Sequence, residues 1–254
     1  MELKTITFPE LAGRKEELER IERFNMYPVM YYRTNVFIHS QRVRWITEEL
    51  VPPLKQAFNN FDAELARILA LVHDDAEVIT GDVQLGHKLQ MSAEELAGVD
   101  RKEQEAIEIL SKRFPQKING FPYKQLLTHA LKKDIIEAQA VSLADKLDAY
   151  GESMHELLAG NADFIPPCQN YTRILANFGN QFPQLRRASS GSHPLLISPL
   201  IYEFQDIALK GKPHTVEMIN TSTNLPHYDF WKDLTIRKFG EQGVAFLITQ
   251  REFH

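Results

Sequence analysis

Residues 71–82 of this 254-residue chain read Leu-Val-His-Asp-Asp-Ala-Glu-Val-Ile-Thr-Gly-Asp. An apolar run precedes this stretch and predicts a buried helix that ends at His73 and Asp74. Three further carboxylates follow within eight residues: Asp75, Glu77 and Asp82. Because an unpaired buried charge is costly, these groups are either solvated at a helix end or hold a cation.

The composition is that of a globular chain, with 43% apolar and 25% charged residues, enough for a sizeable core. A net charge of −5 disfavours binding to a nucleic-acid polymer, which needs a basic surface, but allows a small anionic substrate. The lone Cys168 excludes an intramolecular disulfide. No apolar run approaches the roughly 18 residues of a membrane-spanning helix. We therefore expect a cytoplasmic protein without a membrane partner.

Apolar periodicity predicts an all-α fold, with helix after helix through residue 210. The predicted helices cover 14–24, 35–50, 100–114, 134–159, 168–180 and 196–210, with two more starting after Asp62 and near Tyr123. Breaks are expected at Pro52-Pro53 and Pro166-Pro167 and an interruption at Gly98. Residues 244–249 have strand-like composition, so the C-terminal region is expected to carry a small β element.

Two further helices place a metal-capable residue on an apolar face. His39 falls at helical spacing with aliphatic residues: Val36, Val43, Ile46 and Leu50. Asp145 lies similarly on the apolar side of the helix predicted over 134–159. A single inward histidine is usually a hydrogen-bonded core residue, but three such helices are a much rarer coincidence. Imidazoles and carboxylates together suit one divalent transition metal ion, such as Mn, Fe, Co, Ni or Zn.

In these residues the chain resembles the HD-domain metal-dependent phosphohydrolases. Their signature is a histidine, then His-Asp, then an aspartate, on successive helices of an all-α bundle. The chain matches it in order with His39, His73, Asp74 and Asp145. Three longer stretches, 33–40, 73–82 and 142–149, resemble the bacterial 5′-deoxynucleotidase branch.

The resemblance spans residues 14–160, which we predict to be the HD-domain core. Residues 161–254 are predicted to form a mostly helical C-terminal extension of unknown role. The resemblance also implies a homodimer and a small phosphorylated substrate, a nucleotide, as the partner.

The resemblance implies that a metal-activated water removes phosphate from (deoxy)ribonucleoside 5′-monophosphates. The four signature residues would be the metal ligands. Glu77, one helical turn after His73, would be the acid–base residue, and Asp82 would be a substrate-side carboxylate. The alternatives are that Glu77 is a surface residue at a helix end and that Asp82 caps the next segment. Asp75 is expected to be a solvated neighbour.

By the same resemblance, four residues would contact the substrate: Arg23, Phe24, Arg33 and Lys88. The branch carries an arginine–tryptophan pair upstream of its first histidine. Here the pair is Arg23-Phe24, and its spacing to His39 differs by one residue. Since Phe24 is not an indole, a strict preference for deoxyribose does not follow. For the three cations the alternative is a solvated or salt-bridged surface position.

Two other functions compete with the nucleotidase. One is a phosphodiesterase or pyrophosphohydrolase acting on another nucleotide, and the other is a non-catalytic HD binding or regulatory module. The presence of all four signature residues favours an enzyme over the module. His87 and His129 lack the spacing expected for ligands of a second metal ion.

Overall fold

The computed structural model of the chain describes residues 5–29, 34–114, 117–158 and 162–185. Nine α-helices lie in these ranges: α1 (Arg14–Glu19), α2 (Val36–Ala57), α3 (Ala63–Val72), α4 (Glu77–Thr80), α5 (Leu85–Lys88), α6 (Ala93–Arg113), α7 (Tyr123–Lys132), α8 (Ile136–Leu158) and α9 (Ile165–Gln181). Between α6 and α7 the chain forms one two-stranded antiparallel sheet of β1 (Lys117–Ile118) and β2 (Phe121–Pro122). The predicted all-α class is confirmed. The helix predicted over 196–210 and the β element over 244–249 lie outside the described residues.

The chain divides into two compact units. The N-terminal unit comprises, among the described residues, 5–25, 34–114 and 117–145, and the C-terminal unit comprises 26–29, 146–158 and 162–185. In the C-terminal unit, α9 packs against two short 3-10 turns. No helix among the described residues has both the length and the apolar character to cross a bilayer.

The core of the N-terminal unit is built around α2 and α3, which pack against each other. The predicted stripe of α2 is buried throughout, since its residues are at most 1% exposed: Val36, His39, Val43, Ile46 and Leu50. Helix α3 also contacts α7, and α1 packs on α2 and α4. Helices α2 and α7 therefore flank α3, and α1 packs on α2 and on the short helix α4 within the sequence stretch 71–82.

The prolines do not break the helices as predicted. Helix α2 continues through Pro52-Pro53 to Ala57, because Val51 and Leu54 are buried in the core and their packing offsets the lost backbone hydrogen bonds. Pro166-Pro167 lies in the first turn of α9, where backbone N–H groups have no helical partner in any case. Helix α6 likewise runs through Gly98 without interruption.

The β-hairpin was not predicted, although its sequence signal is specific. Asn119 and Gly120 form the loop with φ angles of 47° and 87°, and Ile118 pairs with Phe121. Two consecutive left-handed residues make the tight hairpin turn that Asn-Gly favours.

Candidate metal centre

His39 is placed by a well-defined helix start. The Asn35 side chain accepts a hydrogen bond from the Ile38 amide at 2.9 Å and caps α2. His39 follows in the first turn, fully buried, and its amide donates to the Asn35 carbonyl at 3.0 Å. The imidazole thus projects from a rigid element, on the face that the sequence periodicity predicted.

His73 and Asp74 are placed by the end of α3. Asp62 caps the start of this helix by accepting from the amides of Glu64 and Leu65, both at 3.0 Å. At the other end, His73 Nδ1 lies 2.9 Å from the Ala70 carbonyl oxygen. A carbonyl only accepts, so Nδ1 carries the proton and, in the neutral ring, Nε2 presents a lone pair.

Three of the four sequence-predicted ligands, His39, His73 and Asp74, come together at that lone pair, and Asp145 lies beside His39. His73 Nε2 lies 3.3 Å from His39 Nε2 and 3.2 Å from Asp74 Oδ2. His39 Nε2 is 3.3 Å from both Asp74 Oδ2 and Asp145 Oδ1. Ligand atoms bound to a first-row ion at about 2.0–2.3 Å lie roughly 2.8–3.7 Å from one another, so these separations fit one shared cation.

The electrostatics of the cluster also fit a cation. A lone pair on His73 Nε2 and the Asp74 carboxylate oxygen repel each other at 3.2 Å unless positive charge lies between them. Burial raises the pKa of Asp74, but where the rings of His73 and His39 are protonated, their charges and hydrogen bonds outweigh it and hold this pKa well below its usual range. Asp74 is therefore an anion in this setting. The trio of His39, His73 and Asp74 could hold a metal ion.

Glu77 and Asp82 belong to the same electrostatic cluster. Burial and the charges of Asp74 and Asp82 raise the pKa of Glu77 well above its usual range, against the opposing effect of Arg23. Burial likewise raises the pKa of Asp82, with Arg23 acting against it. Glu77 Oε2 is buried without a hydrogen-bond partner among the described residues. A buried carboxyl group with a raised pKa is suited to proton transfer.

Two of the three predicted substrate cations also lie in this electrostatic cluster. Arg23 is buried, and its guanidinium carbon is 5.7 Å from the ring centroid of Phe24, which has a left-handed φ of 51°. Lys88 Nζ lies 3.2 Å from Glu103 Oε1, and the charges of Glu103, Glu77 and Asp74 raise its pKa against the effect of burial. The third cation, Arg33, lies outside the described residues.

The prediction for Asp75 was wrong. This side chain is 1% exposed, and its carboxylate accepts hydrogen bonds from the Arg14 guanidinium and, at 2.7 Å, from the Tyr123 hydroxyl. Burial and the Asp75 charge raise the pKa of Tyr123 well above its usual value. Helical spacing offers a signal that was not used, since Asp75 follows buried Ile68 and Leu71 along one side of the helix.

His129 does not join the cluster through any described contact. Its Nδ1 lies 2.6 Å from Asp134 Oδ1 at the end of α7, where Lys133 adopts a left-handed conformation that ends the helix. This side-chain pair at the helix terminus accounts for His129 without a second metal ion.

Residues 14–184 match the family model described as 5′-deoxynucleotidase YfbR-like. A 5′-deoxynucleotidase of Yersinia pestis (strain Pestoides F) is 33% identical over 166 residues, which are 63% of this chain and 81% of the relative. A 5′-deoxynucleotidase of Yersinia pseudotuberculosis serotype O:1b has the same identity and coverage.

Two solved structures have a similar fold. An HD-domain phosphohydrolase from Listeria innocua superposes with a TM-score of 0.54 at 19% identity, over 87% of this chain and 94% of that one. A conserved hypothetical protein from Pyrococcus furiosus gives a TM-score of 0.56 at 22% identity, over 77% of this chain and 98% of the other. At these identities the likeness concerns the fold alone.

Proposed function

This chain belongs to the YfbR-like 5′-deoxynucleotidase family, and from that premise we propose how its residues divide the work of phosphate release. Membership confirms the prediction of an enzyme, a metal-dependent phosphohydrolase of nucleotide 5′-phosphates.

Four side chains hold the divalent ion in this proposal: His39, His73, Asp74 and Asp145. The observation that carries it is the meeting of His73 Nε2, His39 Nε2 and Asp74 Oδ2 within 3.3 Å of one another. A mixed set of imidazoles and carboxylates favours Mn, Fe, Co, Ni or Zn over Mg or Ca. When bound, such an ion lowers the pKa of a coordinated water and offsets charge on a phosphoryl group.

Glu77 is the proton-handling residue in this proposal. Its raised pKa means that the carboxyl group gains and loses a proton nearer to neutral pH than an ordinary glutamate does. Its buried Oε2, without a described protein partner, leaves an acceptor for a water or a substrate hydroxyl. Both properties suit a group that takes a proton from the attacking water and returns it to the leaving oxygen.

The substrate side is formed by Arg23, Lys88 and Asp82. The two cations stand near the acidic groups, where they balance part of a phosphate's charge. Asp82 accepts a hydrogen bond from a sugar hydroxyl in this proposal. Phe24, whose ring lies beside the Arg23 guanidinium, supplies an apolar wall for the nucleoside.

A phosphate-release assay over a panel of substrates tests this function. The panel contains deoxyribonucleoside and ribonucleoside 5′-monophosphates, 3′-monophosphates, a cyclic nucleotide and a nucleoside triphosphate, each with and without added Mn²⁺ or Co²⁺. We expect metal-dependent release from 5′-monophosphates, a loss of about 10²-fold or more in Glu77→Gln, and a larger loss in His73→Ala.

Glu48→Gln is the matched control, because it also removes one carboxylate charge, but from an ion pair with Arg67 rather than from the cluster. It should retain parent activity. Hydrolysis of only the cyclic nucleotide or the triphosphate would support a phosphodiesterase or pyrophosphohydrolase instead. Metal binding without cleavage of any substrate would support the binding module.

Two expectations remain predictions for the purified protein. The homodimer inferred from the family resemblance is tested by sedimentation of the full chain. The cytoplasmic location is tested by fractionation of cells that express it.

A further inference from the structure

A second polar cluster adjoins the His73–Asp74 pair, because it is centred on the next residue, Asp75. Its other members are Arg14 and Tyr123. Arg14 Nε donates to Asp75 Oδ2 at 2.7 Å, and its terminal NH2 donates to the other carboxylate oxygen. The Tyr123 hydroxyl donates to Oδ2 at 2.7 Å. All three side chains are buried, with exposures of 4%, 1% and 0% respectively. A charge pair so completely removed from water fixes its partners in one geometry.

This cluster also closes the end of α3. The last carbonyl groups of a helix lack helical partners, and here three consecutive ones have other donors. The Ala70 carbonyl faces His73 Nδ1 at 2.9 Å, the Leu71 carbonyl accepts from the Arg14 guanidinium, and the Val72 carbonyl accepts from the Asp75 amide at 3.0 Å. Arg14 therefore binds both the helix end and the side chain of the turn that follows it.

The turn held in this way contains the proposed functional residues. Asp75 stands between the His73–Asp74 pair and Glu77 in the chain. The Glu77 amide donates to the Asp74 carbonyl at 3.0 Å, and the Val78 amide donates to the Asp75 carbonyl at 3.1 Å. A shift of Asp75 would thus move the backbone on both sides of it, toward the ligands and toward Glu77.

We propose that Arg14, Asp75 and Tyr123 are positioning residues, which orient His73, Asp74 and Glu77 by fixing the turn between α3 and α4. They act through the backbone and through the Leu71 carbonyl, and not by touching substrate or metal. This inference rests on the proposed function, because the residues that the cluster positions are the proposed metal ligands and the proposed acid–base residue.

Two conservative variants separate positioning from simple stability. Tyr123→Phe removes one hydroxyl from a buried ring and leaves the Arg14–Asp75 pair in place. Arg14→Lys keeps the positive charge, but an ammonium cannot bond both carboxylate oxygens and the Leu71 carbonyl in the planar geometry of a guanidinium. Glu48→Gln is the control, since it weakens another bidentate arginine–carboxylate pair of the same unit, with distances of 2.6 and 2.8 Å to Arg67.

Two measurements on the full chain are made for each variant. The first is amide hydrogen exchange of residues 71–81 in the metal-free protein. The second is the affinity for Co²⁺, titrated by its visible absorption, which also reports coordination geometry. We expect faster exchange confined to residues 71–81, Co²⁺ binding about tenfold weaker and a changed spectrum in both cluster variants, but none of these in the control.

Lower melting temperatures with parent-like exchange at 71–81 and parent-like Co²⁺ binding would overturn the inference, because the cluster would then be structural only. If the parent chain binds neither Co²⁺ nor another transition metal, the proposed metal site is wrong. In that case the exchange data alone would decide whether the cluster fixes the turn, so the two failures are distinguishable.

Discussion

Asp74 and Asp75 are neighbours in the chain, but their carboxylates face different kinds of partner. Asp75 is 1% exposed and meets a guanidinium and a hydroxyl that satisfy its charge. Asp74 has a side chain 20% exposed and meets two imidazoles, one of which presents a lone pair. We call the Asp75 side of the turn, where the carboxylate is paired with a guanidinium, the closed side, and the Asp74 side, where the carboxylate faces imidazoles, the open side.

The difference separates a group that supports the fold from a group that we propose as a metal ligand. Four carboxylates belong to the open side among the described residues (Asp74, Glu77, Asp82 and Asp145). Arg23 and Lys88 are cations whose charges act on them, and Lys88 also pairs with Glu103. A divalent ion would offset part of the negative charge. On the closed side the charges are already paired, so a change there should affect the folded state first.

The largest effect is expected from Asp74→Asn. The amide keeps the shape of the side chain but removes the anion that both imidazoles face, and the proposed site loses a ligand. We expect phosphate release to fall about 10⁴-fold or more, since a bound metal contributes several kcal/mol to such reactions. Steady-state assays at saturating Mn²⁺ measure the fall, and isothermal titration measures the accompanying loss of metal affinity.

The same variant also loses the stabilisation that the lowered pKa of Asp74 indicates, so the unfolding free energy of the metal-free protein is measured beside its activity. Urea denaturation after chelation provides that control. If the Asp74→Asn protein retained parent activity, Asp74 would not be needed for phosphate release, and its contrast with Asp75 would have no functional meaning.

Asp75→Ala should have the next largest effect, on stability. It leaves the Arg14 guanidinium and the Tyr123 hydroxyl buried without their carboxylate. Removing one partner of a buried ion pair typically costs about 3–5 kcal/mol, and we expect a loss near the lower value. Urea denaturation of the metal-free variant measures it. A loss below about 1 kcal/mol, the usual value of an exposed pair, would show that the closed side is not the stabilising one.

The open side of the turn was accessible from the sequence, because its signals are local or periodic. His39 falls in step with the aliphatic residues of α2, and this spacing alone places it in the core. His73 and Asp74 stand at the end of an apolar run that becomes α3. Periodicity likewise predicted the helices that carry these residues, and hence the all-α class.

The partners of Asp75 on the closed side were not accessible from the sequence, because they are distant in the chain, although helical spacing signals the burial of Asp75 itself. Asp75 lies 61 residues from Arg14 and 48 from Tyr123, so no local pattern links them. Tertiary packing also explains why α2 continues through its two prolines, since burial of the neighbouring residues outweighs the tendency of proline to end a helix. The Asn119-Gly120 turn is different, since its signal was local but was passed over.

The smallest predicted effect concerns pH and tests the negative charge of the open side directly. Burial and the neighbouring carboxylates raise the pKa of Glu77 above its ordinary value of 4.5. Between the two values the folded state holds a proton that the unfolded state has lost, so stability falls as pH rises through this window. Glu77→Gln abolishes that titration, and the metal-free variant should gain stability relative to the parent as pH increases from about 4.5 to 8.

Urea denaturation of both chelated proteins across this range measures the gain. A saturating divalent ion should reduce it, because the added positive charge favours the ionised carboxylate. If the difference in unfolding free energy stays constant with pH, the negative charge at Glu77 is already compensated without a cation. The contrast between the two sides of the turn would then rest on geometry rather than on unbalanced charge.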